Sequence, residues 1–306
     1  MKDTARTESF INELRHSNNL LDLFQKKGFS LEKFSRQLTG STDDVGILLV
    51  GSVAEGYATT SSDIDLLVLS YISRDEVDLN NSIRIESGKS LETLVYLDGV
   101  EINVEVVLRE DYDDIAKSLD KIAADAALGR GMTKMPMIDN YSLRFLHRLR
   151  TGIVVEGEAV IDEFRNDFRV QSLPLYLAIK RIILARESLE DAKSSDPAVF
   201  GLVEFICRDI VEHACLALAA ARGFTSQSRR FVLNWIDQLS GEEQQLALFH
   251  GLRRQLIESR ALEPTAKPEL VRRTEGLYVE VLRVLQEDYT MRRILDQIFA
   301  NISYAE

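Results

Sequence analysis

Four short stretches between residues 45 and 108 have the hydrophobic pattern of β-strands. They read VGILLV, IDLLVLS, LETLVYL and VEINVEVVL. The last stretch alternates strictly, with valine and isoleucine on one face and Glu101, Asn103 and Glu105 on the other. The pattern therefore predicts four strands of one sheet, and it predicts that at least one strand has a packed face and a polar face.

Apolar residues recur at helical spacing on both sides of this β-rich region. They do so over residues 1–40 and again in runs such as YSLRFLHRLR and LYLAIKRIILARESLEDAK. A weakly patterned stretch, Leu128 to Asn140, lies between the two patterns. We therefore predict an α+β protein: a helical lead-in over 1–40 packed on a small mixed sheet with flanking helices over 41–135, then an α-helical bundle over 136–306.

Composition limits the kinds of partner. The chain has 306 residues, enough for two domains, and lacks the long apolar run of a membrane span. Its start, MKDTARTESF, lacks the apolar core of a secretory signal, which predicts a cytoplasmic protein. The 49 acidic residues outnumber the 37 Lys and Arg, and the net charge of −12 disfavours a long nucleic acid as substrate.

The two cysteines predict buried thiols rather than a disulfide. Cys207 and Cys215 fall in one predicted helix. A rise of about 1.5 Å per residue separates them by about 12 Å, which is beyond the reach of a disulfide. Histidine and cysteine are scarce and do not cluster, so a zinc site is not expected.

The stretch LLVGSVAEGYATTSSDIDLLVLS joins the first two predicted strands and carries the candidate chemistry. Gly51 and Ser52 end the first strand, and a helix or loop beginning at Val53 would offer backbone N–H groups to an anion such as phosphate. Asp63 and Asp65 share one face of the next strand because side chains alternate. Two adjacent carboxylates repel each other unless a divalent cation stabilises both, and hard oxygen ligands beside phosphate favour magnesium.

A third carboxylate is available on the alternating strand. Glu105 and Glu101 both lie on its polar face. The central position of Glu105, flanked by valines, favours it. Glu101 remains an alternative.

These residues resemble a known family. VGSVAEG followed by SDIDLLVLS resembles the Gly-Ser and Asp-x-Asp signature of the polymerase-β-type nucleotidyltransferase superfamily, and NVEVV looks like its third acidic strand. The resemblance covers residues 45–110 and implies a nucleoside triphosphate, with ATP favoured, as co-substrate. It implies nucleotide contacts at Gly51, Ser52 and Ser62. It implies two Mg²⁺ ions held by the catalytic residues Asp63, Asp65 and Glu105.

The sequence departs from the family at Glu55, where many small-molecule members carry a basic residue. A replacement triphosphate contact would have to come from elsewhere. Candidates are Arg144 and, in the adjoining FLHRLR, His147 and Arg148, and also Lys180, Arg181, Arg229 and Arg230. The spacing in FLHRLR favours a solvated basic helix face.

The order of the two predicted domains is similar to that of the aminoglycoside and lincosamide adenylyltransferases. This resemblance implies transfer of a nucleoside monophosphate to a hydroxyl of a small molecule, with diphosphate leaving. A protein side chain as acceptor and a catalytically silent nucleotide-binding module are the alternatives. Glu204 and Glu212 are candidates for a general base, although their spacing with Arg208 is that of a surface ion-pair ladder. A homodimer is left open.

Overall fold

A computed structural model describes most of the chain between residues 45 and 303. The described residues are 45–59, 62–71, 85–87, 90–97, 100–128, 136–195, 200–226, 228 and 267–303. The predicted lead-in over 1–40 lies outside them, as do Arg229 and Arg230. No helix in these ranges is long and apolar enough to cross a membrane.

The described strands form one mixed sheet in the order β3-β4-β5-β2-β1-β6. Their bounds are β1 Val45–Val50, β2 Ile64–Ser70, β3 Ile85–Ser87, β4 Ser90–Leu97, β5 Val100–Leu108 and β6 Ile153–Glu156. β2 and β5 pair in parallel, and the other neighbours pair antiparallel. The four predicted strands are confirmed as β1, β2, β4 and β5.

The two central strands β1 and β2 are apolar along almost their whole length. Every residue of β1 is buried, and in β2 only Asp65 is half-exposed. Strands covered on both faces read as continuous apolar runs because neither side chain row meets water. Asp65 is the one residue of these two strands that reaches solvent, and its side chain carries a carboxylate.

Eight helices complete the described part of the chain. They are α1 Gly51–Ala54, α2 Asp113–Leu128, α3 Asn140–Thr151, α4 Glu158–Asp167, α5 Leu173–Ser194, α6 Phe200–Ala221, α7 Lys267–Leu285 and α8 Tyr289–Ser303. The predicted fold class, a mixed sheet with flanking helices followed by a helical region, is confirmed.

The chain divides into two compact units at points that differ from the predicted junction near residue 136. The first unit holds the described residues up to Asp120 together with Ile138–Gln171. The second holds Lys121–Met137 and the described residues from Ser172 onward. Helix α3 and strand β6 therefore belong with the sheet.

Helix α3 has a capped start and leads directly into the sheet at its end. Asp139 caps its start by accepting the backbone N–H of Ser142 at 2.9 Å. Gly152 ends it, and β6 follows at once to pair antiparallel with β1. The weak β signal after residue 136 led us to predict no strand there, and this prediction is wrong. IVVE, which forms β6, has only four residues, too few for alternation to stand out.

Gly152 is the contact point between α3 and β1. A Cβ at Gly152 would lie 2.7 Å from the carbonyl oxygen of Arg148 and 3.0 Å from Val50 Cγ1. We expect Gly152→Ala to lower the free energy of unfolding by about 1–3 kcal/mol, because overpacking forces backbone apart. Gly276→Ala in α7 is the matched control. No atom lies within 4 Å of its Cβ position, so a gain of about 0.5–1 kcal/mol is expected there. Chemical denaturation of both variants checks this prediction, and equal stabilities would contradict it.

The second unit contains four long helices, α5 to α8, in the described part of the chain. The predicted buried thiols are confirmed, since Cys207 and Cys215 are free and buried in α6. Burial raises the pKa of both thiols, which keeps them protonated and unreactive at neutral pH. Gly223 follows this helix with a φ of +89°, the left-handed conformation typical of a helix C-terminus.

Candidate active site

The turn between β1 and β2 packs directly against Asp65. Helix α1 begins at Gly51, two residues before the predicted start. Gly51 has a φ of +72°, and a Cβ there would lie 3.2 Å from Asp65 Cγ. A side chain at this position would therefore be strained and would displace the carboxylate. The turn requires glycine because it approaches an acid of the neighbouring strand so closely.

Ser62 stabilises the loop that leads back into β2. Its hydroxyl accepts the backbone N–H of Thr59 at 2.8 Å, and its own N–H donates to the Thr59 carbonyl at 3.1 Å. Ser52 belongs to the turn itself, where its carbonyl accepts the N–H of Tyr57 at 2.9 Å. The predicted nucleotide contacts at Gly51, Ser52 and Ser62 thus lie in the two ends of one loop.

Asp65 lies among other charged and polar side chains at the start of β2. The register places it opposite Asn103 of β5, whose amide donates to Asp65 Oδ1 at 3.3 Å. Burial raises the pKa of Asp65, with a smaller contribution from the charges of Asp63 and Glu105, while Arg148 and the Asn103 hydrogen bond act in the opposite direction. Charges of both signs therefore act on this carboxyl group.

Glu105 lies one alternation further along β5 than Asn103. It stands opposite Leu67 of β2 and Glu92 of β4. The Glu105 carboxylate is buried, and Glu101 on the same face is half-buried. Both acids line the same cleft, so both alternatives for the third acid are present there.

Two arginines of α3 pair with these acids. Arg148 Nη1 donates to Glu105 Oε2, and Arg144 Nη2 lies 3.6 Å from the same oxygen. Arg144 also donates to Glu92 Oε1 at 3.2 Å. The prediction of a solvated basic face for FLHRLR is wrong, because helical spacing indicates a shared face but not the surface that it meets.

His147 of the same helix meets the residue at which the sequence departs from the family. His147 Nε2 lies 3.2 Å from Glu55 Oε1, with side-chain exposures of 8% and 10%. Glu55 therefore points into the protein, beside a helix, at a position where a basic residue was expected to meet phosphate. Lys180 and Arg181 belong to the second unit, where they contact Tyr176 and His213 of that unit.

Residues of β2, β4 and β5, together with two arginines of α3, line a cleft of about 330 Å³ on the first unit. Four carboxylates line it: Asp65, Glu92, Glu101 and Glu105. Two guanidinium groups, Arg144 and Arg148, are also present. Negative charge is therefore in excess, which favours a cation in the cleft. Glu92 was not predicted as a site residue, although it interrupts a predicted apolar strand.

Asp63 and Asp65 fit a divalent cation. They are hard oxygen donors two residues apart, and a cation beside them would oppose the raised pKa of Asp65. Glu105 fits less well, since arginine already holds its carboxylate. Within the described ranges, no three His, Cys, Asp or Glu side chains are grouped closely enough to hold a metal ion.

Comparison with known proteins gives a match to part of the chain. Residues 30–124 match the nucleotidyltransferase domain. The matched span of this nucleotidyltransferase domain contains β1 to β5 and both aspartates, and it is less than half of the chain. Helix α3, which supplies the arginines, lies outside it.

The chain as a whole has a weak structural counterpart among solved proteins. A nucleotidyltransferase-like protein from Exiguobacterium sibiricum superimposes with a TM-score of 0.37 at 10% identity, covering 90% of each chain. None of the curated proteins compared is significantly similar to this sequence.

Proposed function

We propose that the protein is a metal-dependent nucleotidyltransferase that moves a nucleoside monophosphate from a nucleoside triphosphate, with ATP favoured, to a hydroxyl of a small molecule. One observation carries the proposal: the Gly51 turn packs on Asp65 in an acid-lined cleft of the matched domain. The acceptor oxygen forms a bond to the α-phosphorus, and the bond from that phosphorus to its bridging oxygen breaks. Diphosphate leaves, and the acceptor proton passes to a base or to water.

The chain's own residues divide this work. The backbone of the turn at Gly51 and Ser52 binds phosphate, and Ser62 holds the loop closed. Asp63 and Asp65 hold Mg²⁺, which, when bound, stabilises negative charge on the phosphate oxygens. Arg144 contacts the triphosphate, since its half-exposed guanidinium lines the cleft.

The cleft supports a compact acceptor. A volume of about 330 Å³ suits a small ligand, and the excess of carboxylates favours a cationic hydroxyl compound. The net charge of −12 disfavours a long polyanion. Glu204 and Glu212 belong to the second unit, and their role as general base stays a proposal. A cytoplasmic location and a homodimer also stay proposals.

The proposal is tested by incubating the purified chain with Mg²⁺, each nucleoside triphosphate and a pooled small-molecule extract. We expect diphosphate and a new compound heavier by one nucleotidyl group. Product on a supplied protein alone would replace the acceptor class with a side chain. Nucleotide binding without turnover would favour the silent module.

The two candidates for the third acid separate in a paired substitution. We expect Glu105→Gln to lower kcat about 100-fold or more, because it removes the carboxylate that pairs with Arg148 and leaves this guanidinium uncompensated in the cleft. Glu101→Gln should lower kcat less than about threefold, because Arg144 and Arg148 contact the carboxylate of Glu105, whose charge also acts on Asp65. Steady-state kinetics of both variants decide the matter, and the reverse order would assign the role to Glu101.

A further inference from the structure

Arg148 brings a permanent positive charge into the carboxylate cluster. Its guanidinium donates to Glu105 Oε2, and the two side chains are only 18% and 7% exposed. Asp65 lines the same cleft as Arg148 and Glu105. An arginine keeps its charge at every physiological pH. Arg148 therefore stands where it acts on both Glu105 and Asp65.

The register of β2 and β5 separates Glu105 from Asp65. The residue opposite Asp65 is Asn103, which donates its amide to the aspartate. Glu105 is opposite Leu67, and both Arg148 and Arg144 contact one of its oxygens. This arrangement does not fit two metal ions bound by Asp63, Asp65 and Glu105, because two arginines already contact Glu105.

The ion pairs of the cleft also disfavour a second ion. Among the four carboxylates that line the cleft, those of Glu92 and Glu105 already pair with Arg144 and Arg148. A second ion in the free protein would have to displace a guanidinium from Glu105.

We infer that the guanidinium of Arg148 binds Glu105 in place of a second metal ion. The cleft of the free protein then binds one divalent cation, at Asp63 and Asp65. The inference rests on the proposed function, since it assigns the number of ions in the same cleft. Arg148 comes from α3, which lies outside the matched domain but inside the first unit. The pairing of Arg148 with Glu105 therefore depends on the fold of the whole first unit.

Calorimetric titration of the metal-free full chain with Mn²⁺, without nucleotide, tests the inference. We expect one ion on the wild type and none at this site in Asp65→Asn. Arg148→Gln leaves Glu105 with Arg144 alone, at 3.6 Å, so the variant should bind a second ion or bind the first about tenfold more tightly. Arg148→Lys keeps the charge and should bind one. Arg169→Gln is the matched control, since it breaks an exposed pair with Asp120 outside the cleft and should behave as wild type.

Two ions bound to the wild type would overturn the inference. Unchanged stoichiometry and affinity in Arg148→Gln would also overturn it, as would the absence of any Mn²⁺ binding to the wild type. Circular dichroism checks that each variant folds. If Arg148→Gln does not fold, the wild-type stoichiometry decides alone. The titration contains no nucleotide, so one bound ion without any transfer activity would refute the proposed function and leave the inference standing.

Discussion

Asp65→Asn is expected to abolish nucleotidyl transfer while leaving the protein folded and, without metal, at least as stable as the wild type. Turnover should fall about 1000-fold or more, which corresponds to about 4 kcal/mol of transition-state stabilisation. The carboxylate is packed beneath the Gly51 turn and near Asp63 and Glu105, so an amide of the same shape relieves repulsion. Asp63→Asn should lose activity to a similar extent. Kinetics and thermal melting in EDTA measure both effects, and full activity in either variant would contradict the metal site.

The stability of Asp65→Asn should depend on pH in a definite direction. Burial raises the pKa of Asp65, so the native state binds this proton more tightly than the unfolded chain does. The cost of its charge is absent below the ordinary pKa of aspartate and grows as the pH rises through the raised native value. The advantage of the variant over the wild type should therefore increase from acidic to neutral pH. A constant difference across this range would mean that the carboxyl is not perturbed.

Gly51→Ala is the second substitution with a large expected effect. The backbone at Gly51 has a φ of +72°, and the new Cβ would lie against the Asp65 carboxylate. We expect a loss of about 1–3 kcal/mol in the free energy of unfolding from strain and contact together, and near-complete loss of transfer activity. Chemical denaturation and kinetics measure the two effects.

Gly56→Ala is the control that separates strain from contact. Gly56 has a similar φ of +79°, but no atom lies within 4 Å of its Cβ position. Its variant should lose only the stability due to backbone strain and should retain most activity. Equal losses of activity in both variants would mean that the approach of Gly51 to Asp65 has no catalytic importance.

The sequence predicts the core of the sheet and the loop that carries the aspartates. β1 and β2 are continuous apolar runs, and a strand, small-residue turn and strand bring Gly51 and Asp65 together over a short distance in the chain. Strict alternation in β5 places Glu101 and Glu105 on one face. These features depend on local periodicity, which a single sequence displays directly.

The sequence does not predict what lies across the cleft. Which residue of β5 stands opposite Asp65 depends on the register of a parallel pair, and no local pattern sets that register. The spacing of Arg144 and Arg148 indicates a shared helix face, but their pairing with Glu92 and Glu105 depends on where α3 docks. That position is set by the short strand β6 and the close contact at Gly152, neither of which has a strong sequence signal.

The fate of the α-phosphorus tests the central claim most directly. The full chain would be incubated with Mg²⁺, the small-molecule extract and a nucleoside triphosphate labelled either at the α- or at the γ-phosphorus. The α-label should appear in a new small molecule, with one diphosphate released for each transfer, and Asp65→Asn should show neither. Transfer of the γ-label instead, or transfer of the α-label that persists in Asp65→Asn, would contradict nucleotidyl transfer at this site.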